Sequence, residues 1–224
     1  METYNLTVPY KSALDYYKII KDKEPSFIFE SSDTASKASR LSILGVEPVL
    51  ELKDKIDTCQ IKLLQPRGQV FFDFVADKFS DFANRISDTE LLLDLPKLKF
   101  RGEENDRFTR QNTAQVIREL LLAFKSDEMN YMGLYGALSY NIVYLYEEIE
   151  RVKEEEMPDF HLFLFDTLLF FNHLSHTTSI YCTRHTDAEA QADATKLKAR
   201  LLNGKPQEFP KPKLGPILST PSNE

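Results

Sequence analysis

Apolar positions spaced three and four residues apart predict four helices along the chain. The clearest helix is expected from Asn112 to Lys125, where Asn112 stands in the position of a cap and one face carries an apolar stripe. Asp187 is the predicted cap of the last helix, and Gly204 follows that helix as a stop signal. The four predicted helices span residues 12–21, 71–86, 112–125 and 187–202.

Short apolar runs and apolar–polar alternation predict strands between these helices. The apolar run 160–171 and the alternating segment 178–183 are expected to form a hairpin around residues 172–177. Residues 87–111 are mixed and highly charged, and we expect them to be irregular. The whole pattern predicts an α+β fold of antiparallel β-sheets packed with helices. Further strands are predicted at residues 26–30, 41–46, 49–52, 58–64 and 133–140.

The end of the chain differs in character from the rest. Five of the eleven prolines fall between Pro206 and Pro221. Such a composition favours an extended linker over a packed element. We therefore expect one folded domain over residues 1–204, followed by a linker over residues 205–224 that leads to a further domain.

Charge and composition narrow the class of function. The net charge of -7 and the lack of a basic run argue against a nucleic-acid or anionic-membrane partner. No apolar run approaches the roughly 20 residues that span a bilayer. The start of the chain lacks the charged and apolar regions of a signal peptide. Because Cys59 and Cys182 are isolated, they fit a reducing cytoplasm better than a disulfide scaffold.

Glu30 and Ser31 are the first candidate binding residues, since they stand where a predicted strand ends. There a carboxylate can pair with an ammonium group and a hydroxyl can donate or accept a hydrogen bond. Arg40, across the same polar loop, can bind a carboxylate with two parallel hydrogen bonds. The alternative is a solvated loop, with Arg40 in a surface ion pair with Glu30 or Asp33 that contributes little.

Other chemistry-bearing residues do not assemble a catalytic site. His173 and His176 are three apart in a predicted turn, without a third metal ligand close in sequence. Cys182 lies on a predicted strand, where a buried thiol is expected rather than a nucleophile. The two glycines of the 133–140 segment lack the lysine and the spacing of a phosphate-binding loop, and indicate close packing against a neighbouring element. No metal site is predicted in this chain.

Four stretches, taken in order, resemble the N-terminal region of anthranilate synthase component I. Residues 26–31 resemble the family's Leu-Leu-Glu-Ser segment, with Phe29 in place of the second leucine. Residues 39–49 resemble its Arg-Tyr-Ser-Phe-Ile-Gly-x-x-Pro segment. Residues 133–140 resemble its glycine-rich segment, especially in the form fused to a glutamine amidotransferase, and 157–173 resemble its Pro-Asp and Asp-His segment. The matching residues in the second stretch are Arg40, Ser42, Gly45 and Pro48.

The resemblance implies a function for the full-length protein. Anthranilate synthase converts chorismate and glutamine-derived ammonia to anthranilate and pyruvate, with Mg²⁺, in tryptophan biosynthesis. Its N-terminal domain contributes to the feedback site for L-tryptophan. The resemblance assigns contact with L-tryptophan to Glu30 and Ser31, with Arg40 and Ser42 as further candidates. A glutamine amidotransferase, as a subunit or a fused domain, is the implied partner.

Two alternatives remain open at the level of the sequence. Aminodeoxychorismate synthase component I and the phenazine-pathway relatives share this N-terminal layout. A stand-alone module that binds a small molecule belongs to a different class. The catalytic residues and the Mg²⁺ ligands are expected in a C-terminal chorismate-binding domain, so this chain alone is expected to be inactive.

Overall fold

Two antiparallel sheets and five helices form the part of the chain described by the computed structural model, which covers residues 1–21, 25–30, 40–96, 111–125, 131–147, 149–150, 157–209 and 215. The predicted α+β fold is thereby confirmed. The helices are α1 (Ala13–Ile20), α2 (Gln69–Lys78), α3 (Ala114–Ala123), α4 (Val143–Tyr146) and α5 (Asp187–Asn203). The strands are β1 (Glu2–Val8), β2 (Phe27–Phe29), β3 (Leu41–Gly45), β4 (Leu50–Lys55), β5 (Thr58–Leu63), β6 (Ala83–Ser87), β7 (Glu90–Asp94), β8 (Gly133–Leu138), β9 (Phe160–Phe165), β10 (Thr167–Asn172) and β11 (Thr177–Arg184).

The first sheet has the strand order β1-β11-β10-β3-β2. Helices α1 and α5 cover one face of it. Ser12 caps α1, because its Oγ accepts a hydrogen bond from the Asp15 N–H at 3.1 Å. The large buried side chains between helices and sheet include Tyr16, Leu44 and Phe171. Full burial of such a side chain stabilises the fold by roughly 1.5–3 kcal/mol. The two ends of the described chain therefore share one core.

The second sheet has the strand order β6-β7-β5-β4-β9-β8. Its core lies between the sheet and helices α2 and α3, and contains Phe71, Phe72 and Val116. At the edge strand β8, Gly136 faces Leu162 of β9 so closely that a Cβ atom would overlap the His161 carbonyl oxygen. The predicted close packing of the glycine-containing strand is confirmed.

Three sequence predictions are wrong in detail. The helix expected over 71–86 ends at Lys78, and the end of that segment forms strand β6 instead. The region 87–111, expected to be irregular, contains strand β7, which pairs with β6. Residues Leu91 and Leu93 alternate into the core, which explains why a strand forms there. Helix α5 is capped by Thr186 instead of Asp187, because Thr186 and Glu189 form a reciprocal capping box.

The long apolar run 160–171 is two strands in two sheets. Strand β9 belongs to the second sheet and β10 to the first, and the buried residue Asp166 separates them. The predicted hairpin after this run is confirmed, since β10 and β11 pair from Thr167 opposite Cys182 to Asn172 opposite Thr177. The polar residue inside the run therefore marks a crossing between sheets.

The beginning of the predicted linker contacts helix α1. The Gln207 N–H donates to the Lys18 carbonyl at 2.8 Å, and the Gln207 side chain donates to the Lys21 carbonyl at 3.0 Å. The ring of Phe209 stacks on Tyr17 at 5.9 Å between centroids. The linker over 205–224 stays a prediction. In the described ranges, no helix combines the length and apolar character needed to cross a bilayer.

Candidate functional site

The candidate site lies at one end of the β2–β3 strand pair. Glu30 directly follows β2, Arg40 directly precedes β3, and both are exposed. Strand β2 pairs with β3 up to Phe29 opposite Ile43, so the next position in this register sets Glu30 opposite Ser42. Directly opposite residues of an antiparallel pair point to the same face of a sheet. The fold therefore brings three of the predicted site residues together, while Ser31 lies outside the described residues.

Ser42 is buried, in contrast to Glu30 and Arg40. Its Oγ is joined by a hydrogen bond of 2.8 Å to Nε2 of His173. It lies on the face of β3 that also carries the buried residue Leu44, beneath helices α1 and α5. A buried hydroxyl is costly without a partner, and the imidazole supplies one.

His173 makes two further contacts at this site. Its Nδ1 is joined to the Tyr10 hydroxyl by a hydrogen bond of 2.9 Å. Its backbone N–H donates to the Arg40 carbonyl at 2.9 Å. One residue of the β10–β11 turn thereby binds both the backbone of Arg40 and the side chain of Ser42. The sequence signal for this role is the polar histidine at a hairpin turn, which spacing alone does not connect to β3.

The turn that carries His173 is itself ordered by side chains. Asn172 Oδ1 accepts hydrogen bonds from the backbone N–H groups of Leu174 and Ser175, each at 3.0 Å. His176 has a φ of 51°, and its ring packs edge-on against Tyr10 at 4.9 Å. Across the described ranges, no three His, Cys, Asp or Glu side chains form a group able to hold a metal ion. In this structure His173 makes hydrogen bonds through both ring nitrogens, and His176 packs against Tyr10.

Phe29 contributes to the opposite face of the sheet from Ser42. Its ring lies 4.7 Å from that of Phe27 and 6.3 Å from that of Tyr135, and it is 51% exposed. Phe27 stacks on Tyr135 at 4.5 Å, and burial raises the pKa of the Tyr135 hydroxyl. Phe29 therefore belongs to an aromatic cluster on the face of the sheet opposite Ser42.

Both cysteines are buried thiols, as expected for Cys182. Burial raises the pKa of Cys182 to about 11, although Arg184 and a hydrogen bond with Thr167 act in the opposite direction. Burial, followed by the charge of Asp54, raises the pKa of Cys59 well above its ordinary value. A thiol with such a pKa is protonated at neutral pH and is a weak nucleophile.

Two cavities lie away from the candidate site. An apolar groove of about 550 Å³ runs between α3 and β8, with Leu121, Leu134 and Leu138 in its wall. A polar cavity of about 330 Å³ lies beside Asp166 and Arg184. Neither is lined by Glu30, Arg40 or Ser42. The described site residues Glu30, Arg40 and Ser42 are thus separate from both cavities.

Comparisons with known proteins were made by family model, by sequence and by structure. No family model matches the chain. Anthranilate synthase component 1 of Escherichia coli is 24% identical over 190 residues, which cover 83% of this chain and 36% of that protein. The Methanothermobacter marburgensis protein of the same name is 24% identical over 188 residues, which cover 81% of this chain and 32% of that protein. The Serratia marcescens protein of the same name is 19% identical over 201 residues, which cover 88% of this chain and 39% of that protein.

A solved structure of anthranilate synthase component I from Streptococcus pneumoniae was also matched, with 17% identity, a TM-score of 0.45, and coverage of 92% of this chain and 38% of that one. The chain spans about a third of the length of the curated relatives it matches. These sequence matches cover 80–88% of the chain. They confirm that the chain is similar to anthranilate synthase component I.

Proposed function

We propose that the chain is the N-terminal regulatory domain of an anthranilate synthase. The observation that carries this proposal is that the curated relatives covering 80–88% of the chain are all named anthranilate synthase component 1. In this proposal the full-length protein is a cytoplasmic lyase that forms anthranilate and pyruvate from chorismate and ammonia. A glutamine amidotransferase, as subunit or fused domain, supplies the ammonia.

The proposed ligand of this domain is L-tryptophan, bound at the β2–β3 strand end. Glu30 pairs with its ammonium group and Arg40 with its carboxylate, because the two exposed side chains offer opposite charges at one end of the strand pair. Ser31 and Ser42 complete the proposed set. Ser42 acts from beneath the surface, since its hydroxyl is buried and bonded to His173.

Energetics support a site shared between two domains. An ion pair in open water contributes roughly 0.2–1 kcal/mol, so Glu30 and Arg40 alone would hold an amino acid only weakly. Covering the ligand with a second surface removes water and strengthens both pairs. The proposed cover is the C-terminal chorismate-binding domain, which in this proposal also holds Mg²⁺. In this proposal the catalytic residues also lie in that C-terminal domain.

In this proposal, feedback inhibition follows from differential affinity for two states. L-tryptophan binds more tightly to a domain arrangement that binds chorismate poorly, and so shifts the population toward it. A tenfold change in chorismate affinity requires a coupling free energy of about 1.4 kcal/mol. Residues Glu30 and Arg40 act in this scheme by recognising tryptophan, not by touching chorismate.

The test measures anthranilate formation by the full-length gene product with increasing L-tryptophan. Ser31→Ala, Glu30→Gln and Arg40→Gln are each expected to raise the inhibition constant by about tenfold or more, with uninhibited turnover within about twofold of wild type. Glu208→Gln and Arg85→Gln remove matched exposed charges elsewhere and are expected to leave inhibition unchanged. Unchanged inhibition in the three site variants would refute the assignment of the site. Formation of aminodeoxychorismate instead of anthranilate would refute the assigned reaction.

A further inference from the structure

We infer that His173 is the positioning residue of the amino-acid site, an assignment that rests on the proposed function of that site. It holds the segment from Arg40 to Ser42 in place from a turn 131 residues away along the chain. The imidazole does not itself contact the ligand. It sets where Arg40 and Ser42 stand relative to Glu30.

Three contacts carry this role. The His173 backbone N–H binds the Arg40 carbonyl at 2.9 Å, and the ring nitrogen Nε2 binds the Ser42 hydroxyl at 2.8 Å. The other ring nitrogen, Nδ1, binds the Tyr10 hydroxyl at 2.9 Å. Because both ring nitrogens have partners, the plane of the ring is determined by contacts on opposite sides. A ring that is hydrogen-bonded at both nitrogens is held in one orientation, and it can therefore hold the Ser42 hydroxyl in one position.

The Tyr10 end of this chain of contacts is anchored in the core. Tyr10 lies between β1 and α1, and the carbonyl of the preceding residue Pro9 accepts a hydrogen bond from the hydroxyl of Tyr16. Tyr16 is fully buried in α1, and its ring packs against Phe171 of β10 at 5.9 Å. The position of His173 is therefore tied to α1 as well as to its own hairpin.

The burial of Ser42 makes its bond to His173 important for the strand end. Ser42 lies on the core-facing side of β3, as Leu44 does, whereas the preceding residue Leu41 is exposed. Without His173, a buried hydroxyl would lose its imidazole partner at the strand end next to Arg40. Residues 40–42 would then open more often, and Arg40 and Ser42 would no longer be held in one position at this strand end.

The two nitrogens of the ring can be tested separately. A glutamine amide reaches about as far as Nε2 of histidine, whereas an asparagine amide reaches about as far as Nδ1. His173→Gln can therefore keep the bond to Ser42 and lose the one to Tyr10, and His173→Asn can do the reverse. If the ring positions Ser42, the glutamine variant should function and the asparagine variant should not.

The experiment titrates L-tryptophan into the full-length gene product by calorimetry. His173→Ala and His173→Asn are expected to weaken tryptophan binding by about tenfold, and His173→Gln by less than about threefold. His185→Ala removes an exposed histidine elsewhere and serves as the control. In a double-mutant cycle, Ser42→Ala should add little to His173→Ala, because the two variants remove one interaction. Equal affinity in all His173 variants, or fully additive effects, would overturn the inference.

A second measurement separates this inference from the proposed function. Amide hydrogen exchange in the absence of ligand is expected to be faster at residues 40–42 and 173 in His173→Ala than in His173→Gln, with exchange in β5 and β7 unchanged. If wild type binds no tryptophan, the proposed function fails and the positioning of a tryptophan site fails with it, whatever the exchange shows. If wild type binds tryptophan and exchange at residues 40–42 is the same in all variants, only the positioning role fails.

Discussion

The guanidinium of Arg67 donates two hydrogen bonds to the carboxylate of Asp166, from Nε at 2.9 Å and from Nη2 at 3.3 Å. Asp166 stands where the chain passes from β9 of one sheet to β10 of the other. Nη2 of Arg67 also donates to the carbonyl of Glu47, which lies where the chain passes between β3 and β4. One arginine thus binds both crossings between the two sheets.

Replacing Asp166 by alanine is expected to destabilise the fold by about 3–5 kcal/mol. Asp166 is 2% exposed and pairs with both Arg67 and Arg184, so its removal leaves the buried guanidinium of Arg184 without one of its two carboxylate partners. Urea unfolding at neutral pH measures the change in the free energy of unfolding. Arg85→Gln is the control, because its 4.0 Å pair with Asp73 is half exposed and should contribute less than about 1 kcal/mol. Equal effects of the two variants would contradict this role of Asp166.

The lowered pKa of Asp193 predicts how the free energy of unfolding changes at acid pH. Burial alone would raise its pKa, but the hydrogen bond and charge of Arg184, followed by those of Lys196, lower the pKa below its ordinary value. A carboxyl group with a lowered folded-state pKa stabilises the fold above its unfolded pKa of about 3.9, and this stabilisation is lost as the pH falls through the folded-state pKa. The urea concentration at the midpoint of unfolding should therefore decrease as the pH is lowered below about 4. This decrease should be less steep in Asp193→Asn. An identical pH profile in that variant would exclude the contribution.

Two glycines of β8 offer a matched comparison. Gly136→Ala is expected to destabilise the fold by about 1–3 kcal/mol, because the new Cβ would overlap the His161 carbonyl and force the β8–β9 pair apart. A Cβ at Gly133 meets no atom closer than 3.7 Å, so Gly133→Ala should change stability by less than about 0.5 kcal/mol. Thermal unfolding of the two variants measures the difference. A result in which Gly133→Ala is the more damaging change would show that close packing is not what requires glycine here.

Ile56 is a residue whose replacement should stabilise the protein. It occupies the β4–β5 turn with a φ of 55°, a left-handed conformation that costs an L-residue about 1–2 kcal/mol. Ile56→Asn or Ile56→Gly should therefore raise the free energy of unfolding by about 1 kcal/mol. The control is Ile86→Asn, since Ile86 is more exposed, at 59%, and lies in the extended strand β6. If the control is stabilised as well, the gain comes from replacing an exposed apolar side chain by a polar one and not from the turn conformation.

Local patterns predicted most helices and strands because helix and strand periodicity are properties of neighbouring residues. The apolar stripe of α3, the cap Ser12 of α1 and the hairpin of β10 with β11 all follow from residues close together in sequence. Where the pattern failed, a distant element decided the outcome. The segment Glu90–Asp94 becomes a strand because β5 pairs with it. The edge strand β1, which no sequence pattern singled out, forms because β11 lies beside it.

At the candidate site too, the sequence determined some features and the packing of distant elements determined the others. The sequence by itself determined that a carboxylate and a guanidinium flank one polar loop, since Glu30 and Arg40 are separated only by that loop. It could not determine that Ser42 is buried or that Tyr10 and His173 support it, because those contacts join residues 131 and 163 positions apart. Likewise, only the tertiary structure decided that Asp166 divides an apolar run between two sheets. Periodicity describes which side of an element a residue faces, whereas its partner depends on how separate elements pack.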